Sequence, residues 1–390
     1  MAMWGNNRNM QRKLLEFLNK GNCEADLVLL PYNCKVVSAH SGALHEAGIL
    51  NLKELRDIQA CLLQLEADAI GGNAKIELGE EDSHTKIENC LIGTLGETGK
   101  KVHIGKSRND EALAVLRLYE KDKLKEAIVF LNGLIDQLSG LASEHNATVM
   151  PGYTHMKKAM PSTFGYWCEG FEKLLEKDVE ALNFAISQID YCPIGTAAGY
   201  GSTIDLDWEG IAHELEFSKL EVNGIAAQNS RMKEGALICG ILAQTMMDVN
   251  KMATDLMLWN TEEFGFVELD EGITTGSSMM PHKKNPDALE LLRTSAGKVF
   301  AKQNEIQMIA LNLPSGYNKD HQEMKKPLIE AFEISIESLE MLQLVLGIIK
   351  INKEKMAGSL TEEMGTAKAA AMLALGGKPF REAYFAVKEA

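Results

Sequence analysis

The feature that most constrains this chain is a set of long helical patterns separated by short polar segments. Leu124, Ile128, Leu131, Ile135, Leu138 and Ala142 alternate steps of four and three, a heptad-like stripe. Phe164 to Ile189 reads as a second long helix, ended before Pro193. Residues 229–260 read as a third, with Leu237, Ile241, Met246, Val249 and Met252 spread over its buried faces. Pro286 to Leu311 and Pro327 to Ile349 read as a fourth and a fifth. Helices of about 25–35 residues span roughly 40–50 Å, and ordinary globular helices are about half that length. Such helices need an elongated bundle, so the expected fold class is all-α. Leu, Ala, Met, Glu and Lys are plentiful and aromatics are only 6%, which suits helices.

The flanking regions read differently. Two shorter helical patterns lie between Val36 and Ala69, with Pro31 expected to break before the first and Gly48-Ile49-Leu50-Asn51 separating them. Asn51 is placed to cap the second, with Leu52, Leu55, Ile58, Leu62 and Leu65 on one face and Gly71-Gly72 as its stop. Residues 190–206 are Gly-rich and loop-like, and strand signals are weak. The expected organisation is an N-terminal helical domain over residues 1–105, the bundle over 106–352 and a small C-terminal domain over 353–390.

Charge and cysteine usage narrow the function classes. The formal net charge is −15, which argues against a nucleic-acid partner. No run approaches about 18 apolar residues, so no membrane span is expected. The seven cysteines are odd in number and lack metal-ligand spacing, as for reduced thiols in a cytoplasmic protein. No GxGxxG or Walker loop is present. Neither a cofactor nor a metal is therefore expected.

Five polar segments interrupt or cap the helices. They are Glu81-Asp82-Ser83-His84, Ser107-Arg108-Asn109-Asp110, Gly152-Tyr153-Thr154-His155, the loop 272–287, and Tyr317 to Lys325. The loop runs Gly276-Ser277-Ser278-Met279-Met280-Pro281-His282-Lys283-Lys284-Asn285-Pro286. Asn285 and Pro286 are expected to open the following helix as N-cap and first helical residue. A helix start beside two lysines suits a carboxylate ligand.

These segments resemble known motifs. The loop resembles the GSSxMPxKxNP signature of the fumarase/aspartase superfamily at every fixed position. Lys106-Ser107-Arg108-Asn109-Asp110, Met150-Pro151-Gly152-Tyr153-Thr154-His155 and Tyr317-Asn318-Lys319-Asp320 with Gln322-Glu323 resemble the GRSRND, MPGYTH and YNKDxQE motifs of the argininosuccinate lyase family. Trp4-Gly5 resembles its WGGRF start imperfectly, and the matches extend from about residue 4 to about 385 in family order.

The resemblance implies reversible elimination of argininosuccinate to arginine and fumarate. It implies Ser277 as the base and Lys283 and Asn285 as groups that hold the substrate carboxylate. Ser107, Arg108, Asn109 and Thr154 would bind the succinyl carboxylates. His155 would be oriented by Glu290. Tyr317, Gln322 and Lys325 would hold the amino-acid end of the leaving group. It further implies a homotetramer with active sites shared between chains. The residues themselves leave His84 open between site and structure, and His282 and Lys284 are outside the catalytic set.

The chain also departs from the family pattern. Asn22 stands where the family has a serine four residues before Asp26. Gly5-Asn6-Asn7-Arg8 replaces GGRF, and Met156-Lys157-Lys158-Ala159-Met160-Pro161 follows His155 without the family's two glutamines. Pro379-Phe380-Arg381-Glu382-Ala383 resembles PFREAH, after which the C-terminal domain is expected to be shortened. These departures leave open the same elimination on another N-substituted aspartate. A catalytically silent, crystallin-like role is a further alternative, against which the intact Ser277, Lys283, Asn285, His155 and Glu290 set argues.

Overall fold

Long helices dominate the structure, as the apolar spacing requires. The computed structural model describes residues 12–389, so the Trp4-Gly5 start and Gly5-Asn6-Asn7-Arg8 lie outside the described residues. The fold is all-α, with twelve α-helices and three two-stranded sheets among the described residues. The chain divides into two compact units. The first comprises the chain up to Glu126 with Ala181–Ala243 and Lys298–Ile334. The second comprises Ala127–Glu180, Gln244–Gly297 and the chain from Ser335 onward.

The long helices are α4 (Arg108–Glu144), α5 (Phe164–Ile189), α7 (Gly224–Asn260), α8 (Asp287–Ile309) and α9 (Lys325–Ile348). α5 has its expected bounds, whereas α7 begins at Gly224 rather than at 229. The stripe on α4 is rotated from the expected one. Leu124, Ala127, Leu131, Leu134 and Leu138 are fully buried, while Ile128 and Ile135 are only half-buried. Both stripes share Leu124, Leu131 and Leu138, and both are apolar, so hydrophobicity alone does not choose between them. On α7, Met246, Val249 and Met252 are buried as expected, but Leu237 and Met247 face outward.

In the first unit, α1 (Arg12–Glu46), α2 (Leu52–Ile70) and α3 (Ser83–Leu95) pack on one another. Contrary to expectation, α1 continues through Pro31. Proline inside a helix costs about 3 kcal/mol. The buried face continues on both sides of it, through Leu29 and Leu30 to Cys34, Val36 and Val37. Each such side chain contributes roughly 1.5–3 kcal/mol on burial, so packing outweighs the proline. Asn51 does cap α2. Its side chain accepts from the Glu54 N–H at 3.0 Å and Glu54 reaches back to the Asn51 N–H at 2.9 Å, a reciprocal capping box. Ile58, Leu62 and Leu65 form its buried stripe, while Leu52 is exposed. Gly71 ends it, and Gly72 turns the chain at φ 73°.

The two units differ in how their interiors are held. Within the first, Arg117 on α4 meets Glu234 on α7 bidentately, at 3.1 and 2.7 Å, and donates to the Tyr191 carbonyl at 2.6 Å. In the second, Phe164, Trp167, Phe171 and Trp259 form an aromatic cluster, with the Trp167 indole donating to Asp255 at 2.9 Å. Beside it, β1 (Val149–Thr154) and β2 (Lys157–Thr163) form an antiparallel hairpin. α10 (Lys353–Gly358) packs against β1, and α11 (Thr366–Leu375) pairs with α12 (Phe380–Glu389). No helix is long and apolar enough to cross a membrane among the described residues.

Glu120 gives the first unit an unusual pH response. It is buried, and neither carboxyl oxygen has a hydrogen-bond partner. Burial and the Glu234 carboxylate push its pKa well above the ordinary 4.5, against the pull of Arg117 and Arg231. The folded state therefore holds this proton more tightly than the unfolded chain. The associated stability is fully present below the unfolded value and is lost as pH rises through the folded one. Glu120→Gln mimics the protonated acid and should gain stability relative to the parent as pH rises from about 5 to about 8, by up to about 1.4 kcal/mol per pH unit. Urea titrations across that range check this. A variant less stable than its parent at the top of the range would show that the carboxylate is charged in the fold.

Candidate active site

The Ser107-Arg108-Asn109-Asp110 segment opens α4, and its geometry follows from one buried carboxylate. Asp110 accepts from the Ser107 N–H at 2.9 Å with one oxygen, reaching back to the cap position as the third residue of a capping box does. Its other oxygen accepts from the N–H groups of Gly195 at 3.1 Å and Ala197 at 2.8 Å, in the Gly-rich loop. The next residue is Glu111, whose buried carboxylate accepts from His84 Nδ1 and Lys106 Nζ, each at 2.8 Å. Burial alone would raise the Glu111 pKa, but His84 and Lys106 together hold it far below the usual carboxylate range. His84 is thus pinned at the first turn of α3 by a carboxylate from α4.

A cavity of about 220 Å³ opens at this junction within the first unit. Arg108, Asn109, Tyr317, Gln322 and Lys325 all line it, which brings together five residues expected from the sequence. Ser107 is at the adjoining cap, where its hydroxyl accepts from the Asn109 N–H at 3.3 Å. Lys325 begins α9 and places its ammonium 2.6 Å from Asp26 and 3.0 Å from the Asn22 side-chain oxygen. The Asn22 amide in turn donates to the Glu81 carbonyl at 2.8 Å and to Asp26 at 3.3 Å. Burial pushes the Asp26 pKa up, and Lys325 opposes that. The departure at Asn22 therefore fills its place with three hydrogen bonds rather than leaving a gap.

The cavity wall around Glu81 is also charged. Glu81 adopts φ 71°, a left-handed conformation costly for a residue with a Cβ. Its carboxylate receives Lys319 at 2.7 Å and Arg108 at 3.3 Å, and its carbonyl receives Asn22. These contacts over-determine the strained residue. Arg108 also meets Asp82, the N-cap of α3, at 3.3 Å. The sequence reading missed Glu81, Asp82, Lys319 and Arg231 as cavity residues. Glu81, Asp82 and Lys319 lie inside the polar segments that interrupt or cap the helices. Arg231 sits within α7 and gave no local signal.

The remaining expected residues belong to the second unit. Thr154 ends β1, and His155 and Met156 form the hairpin turn at φ 51° and 60°. This polar segment, expected to interrupt or cap a helix, instead lies in a hairpin that precedes α5. Positive φ at both central residues is the type I′ turn of a two-residue hairpin, and the strand pairing on either side imposes it. His155 and Glu290 are both exposed, and no hydrogen bond joins them among the described residues.

The signature loop is closed at its base by a bridge. Thr275 and Asn285 exchange backbone hydrogen bonds at 3.1 and 2.8 Å. Asn285 is thus tied to the loop base rather than capping α8, which starts at Asp287. Inside the loop, Ser277 Oγ accepts from the N–H groups of Met279 at 3.3 Å and Met280 at 3.1 Å. Donors aimed at this oxygen favour negative charge on it. Lys284 is paired with Glu271 at 2.7 Å, whereas the Lys283 ammonium has no ion pair among the described residues.

A family model described as Lyase matches residues 11–301. The argininosuccinate lyase of Thermotoga neapolitana is 36% identical over 99% of this chain and 97% of its own length. That of Phocaeicola vulgatus is 37% identical over 98% of this chain and 86% of its own. Among solved structures, an EDDS lyase in complex with formate superposes with a TM-score of 0.83 at 28% identity, covering 94% of this chain and 72% of that one. A fumarate lyase/delta crystallin from Brucella melitensis, at 19% identity and a TM-score of 0.77, shares the fold, over 92% of this chain and 87% of its own. On the near full-length match to these relatives, the chain belongs to the argininosuccinate lyase family of carbon–nitrogen lyases, within the fumarase/aspartase superfamily.

Proposed function

We propose that this protein cleaves argininosuccinate reversibly to arginine and fumarate. The observation that bears most of this reading is the first-unit cavity, where Arg108, Asn109, Tyr317, Gln322 and Lys325 converge on one space. It offers paired cations and anions, as a ligand with both carboxylate and ammonium groups requires.

The chemistry assigns a role to each segment. Ser277 removes the proton from the carbon next to a substrate carboxylate. The Met279 and Met280 N–H groups stabilise its oxygen as an anion, which makes a weak base serviceable. Electron density from the broken C–H bond moves onto the carboxylate, giving a dianionic aci-acid. Lys283 and the Asn285 amide stabilise that charge. Ser107, Arg108, Asn109 and Thr154 hold the succinyl carboxylates. The C–N bond then breaks, the departing nitrogen takes a proton, and fumarate is left. His155, with Glu290 as its orienting carboxylate, serves this proton transfer. Tyr317, Gln322 and Lys325 hold the amino-acid end.

The working form is a homotetramer in which segments from different chains complete each site. Supporting this, the second unit leaves Val129, Met247, Leu291 and Leu344 exposed on four of its helices. Apolar faces on helices of this length are normally covered, and closed symmetric assemblies cover them. The seven cysteines are all free thiols, which accords with a cytoplasmic location.

Incubation of the purified protein with argininosuccinate should release fumarate, followed by ultraviolet absorbance. Release only from a different N-substituted aspartate would move the substrate assignment to that amine. Ser277→Ala should reduce turnover by well over tenfold, that is by more than about 1.4 kcal/mol at the transition state, with substrate affinity nearly unchanged. Retention of a tenth or more of the parent rate would show that Ser277 is not the base.

Lys283→Met should lower the rate far more than Lys284→Met, because Lys284 is already committed to Glu271. Equal losses would mean that the loop supplies only a diffuse positive field. Shared sites are tested by complementation. Inactive His155→Asn and Ser277→Ala variants, mixed after mild unfolding and reassembly, should recover part of the activity. A reassembled mixture that stays inactive while tetrameric would rule the shared site out.

A further inference from the structure

Three of the cavity's cations have carboxylates in contact. Lys325 has Asp26, Arg108 has Glu81 and Asp82, and Lys319 has Glu81. Arg231 is different. It lines the cavity and is only 4% exposed, yet it forms no ion pair with a carboxylate among the described residues. None of its acidic neighbours pairs with it: Glu234 binds Arg117, Asp110 accepts from backbone N–H groups, and the buried Glu120, held protonated by its surroundings, forms no hydrogen bond. One guanidinium nitrogen donates to the Asn109 carbonyl, and Nε is buried without a partner. The Tyr317 ring lies 5.3 Å from the guanidinium carbon and is itself stacked on His321.

A buried cation without a counter-ion is costly to the fold. Burial lowers the Arg231 pKa only to about 10, so the group stays charged at neutral pH. A guanidinium has five N–H donors in a planar fork suited to a carboxylate. We propose that Arg231 is a substrate-binding residue that takes the α-carboxylate of the amino-acid leaving group, with Tyr317 stacked over the pair. Asp26 and Glu81 line the same cavity, each already paired with a cation, so carboxylates as well as cations face a ligand there, as suits a zwitterion. The assignment rests on the argininosuccinate reading above and adds to it the contact that distinguishes an amino acid from a plain amine.

Calorimetric titration of the intact enzyme with L-arginine and with agmatine, which lacks the carboxylate, tests it. The parent should bind arginine more tightly than agmatine by about tenfold or more, as for a charge-assisted pair. In Arg231→Met that preference should fall to within about twofold, with agmatine affinity little changed. Arg231→Lys should retain part of it. If Arg231 only props the Asn109 carbonyl, both ligands weaken together and the ratio stays as in the parent, which overturns the proposal. Should the Met variant fail to fold, the Lys variant decides: a reduced ratio supports the contact and an unchanged one refutes it. A parent that releases fumarate from argininosuccinate but binds both ligands equally refutes the Arg231 assignment and leaves the function standing. A parent that releases none overturns the function and takes this assignment with it.

Discussion

In the first unit the register of α4 against α7 depends on the buried pair of Arg117 and Glu234. Two hydrogen bonds between planar groups allow little sliding of one helix along the other. The pair sits a few turns from the start of α4, where Arg108 and Asn109 face the cavity, and one turn from Arg231 on α7. A slip of one residue on either helix would separate Arg231 from the Asn109 carbonyl that it now meets. Such a pair is a poor source of net stability, because desolvation offsets its attraction. Its value here is positional. Glu120, one turn from Arg117 and without a hydrogen-bond partner, shows how little room this interior leaves for a second charged acid.

The cavity is organised before any ligand arrives. Asn22 holds both Lys325 and Asp26, and Glu81 accepts Lys319, Arg108 and the Asn22 amide in a strained conformation. Most charges are already neutralised by a neighbour, so a ligand competes with existing pairs rather than with bulk water. Preorganisation of this kind reduces the ordering cost of binding. The signature loop uses different means. Its base is closed by the Thr275–Asn285 bridge, and its serine is supplied with two backbone donors from its own turn. Loop length and backbone direction, rather than distant packing, aim that hydroxyl.

Function was legible in the sequence because chemistry concentrates in short segments. Gly276 to Pro286 and Lys106 to Asp110 retain their meaning wherever they fold, since their internal hydrogen bonds are local: Met280 to Ser277, Ser107 to Asp110. The cavity's other half was not legible. Arg231 lies among helix-forming residues, and nothing within a few positions separates it from a surface arginine. Asn22 read as a loss because its partners, Lys325 and the Glu81 carbonyl, lie far away in the chain.

The helices themselves divide in the same way. Local patterns determined that α2 starts at Asn51 and stops at Gly71, because caps satisfy backbone groups within a turn of themselves. They also determined that α4, α5, α7, α8 and α9 are long, because apolar residues recur at helical spacing over each. Tertiary structure decided the rest. It chose Ala127 and Leu134 over Ile128 and Ile135 as buried positions on α4. It carried α1 through Pro31 and put His155 in a hairpin turn. Each of these outcomes is a contest between a local preference of a few kcal/mol or less and contacts with residues distant in the chain. A sequence lists the contestants, but only the packed structure sets the contacts against them.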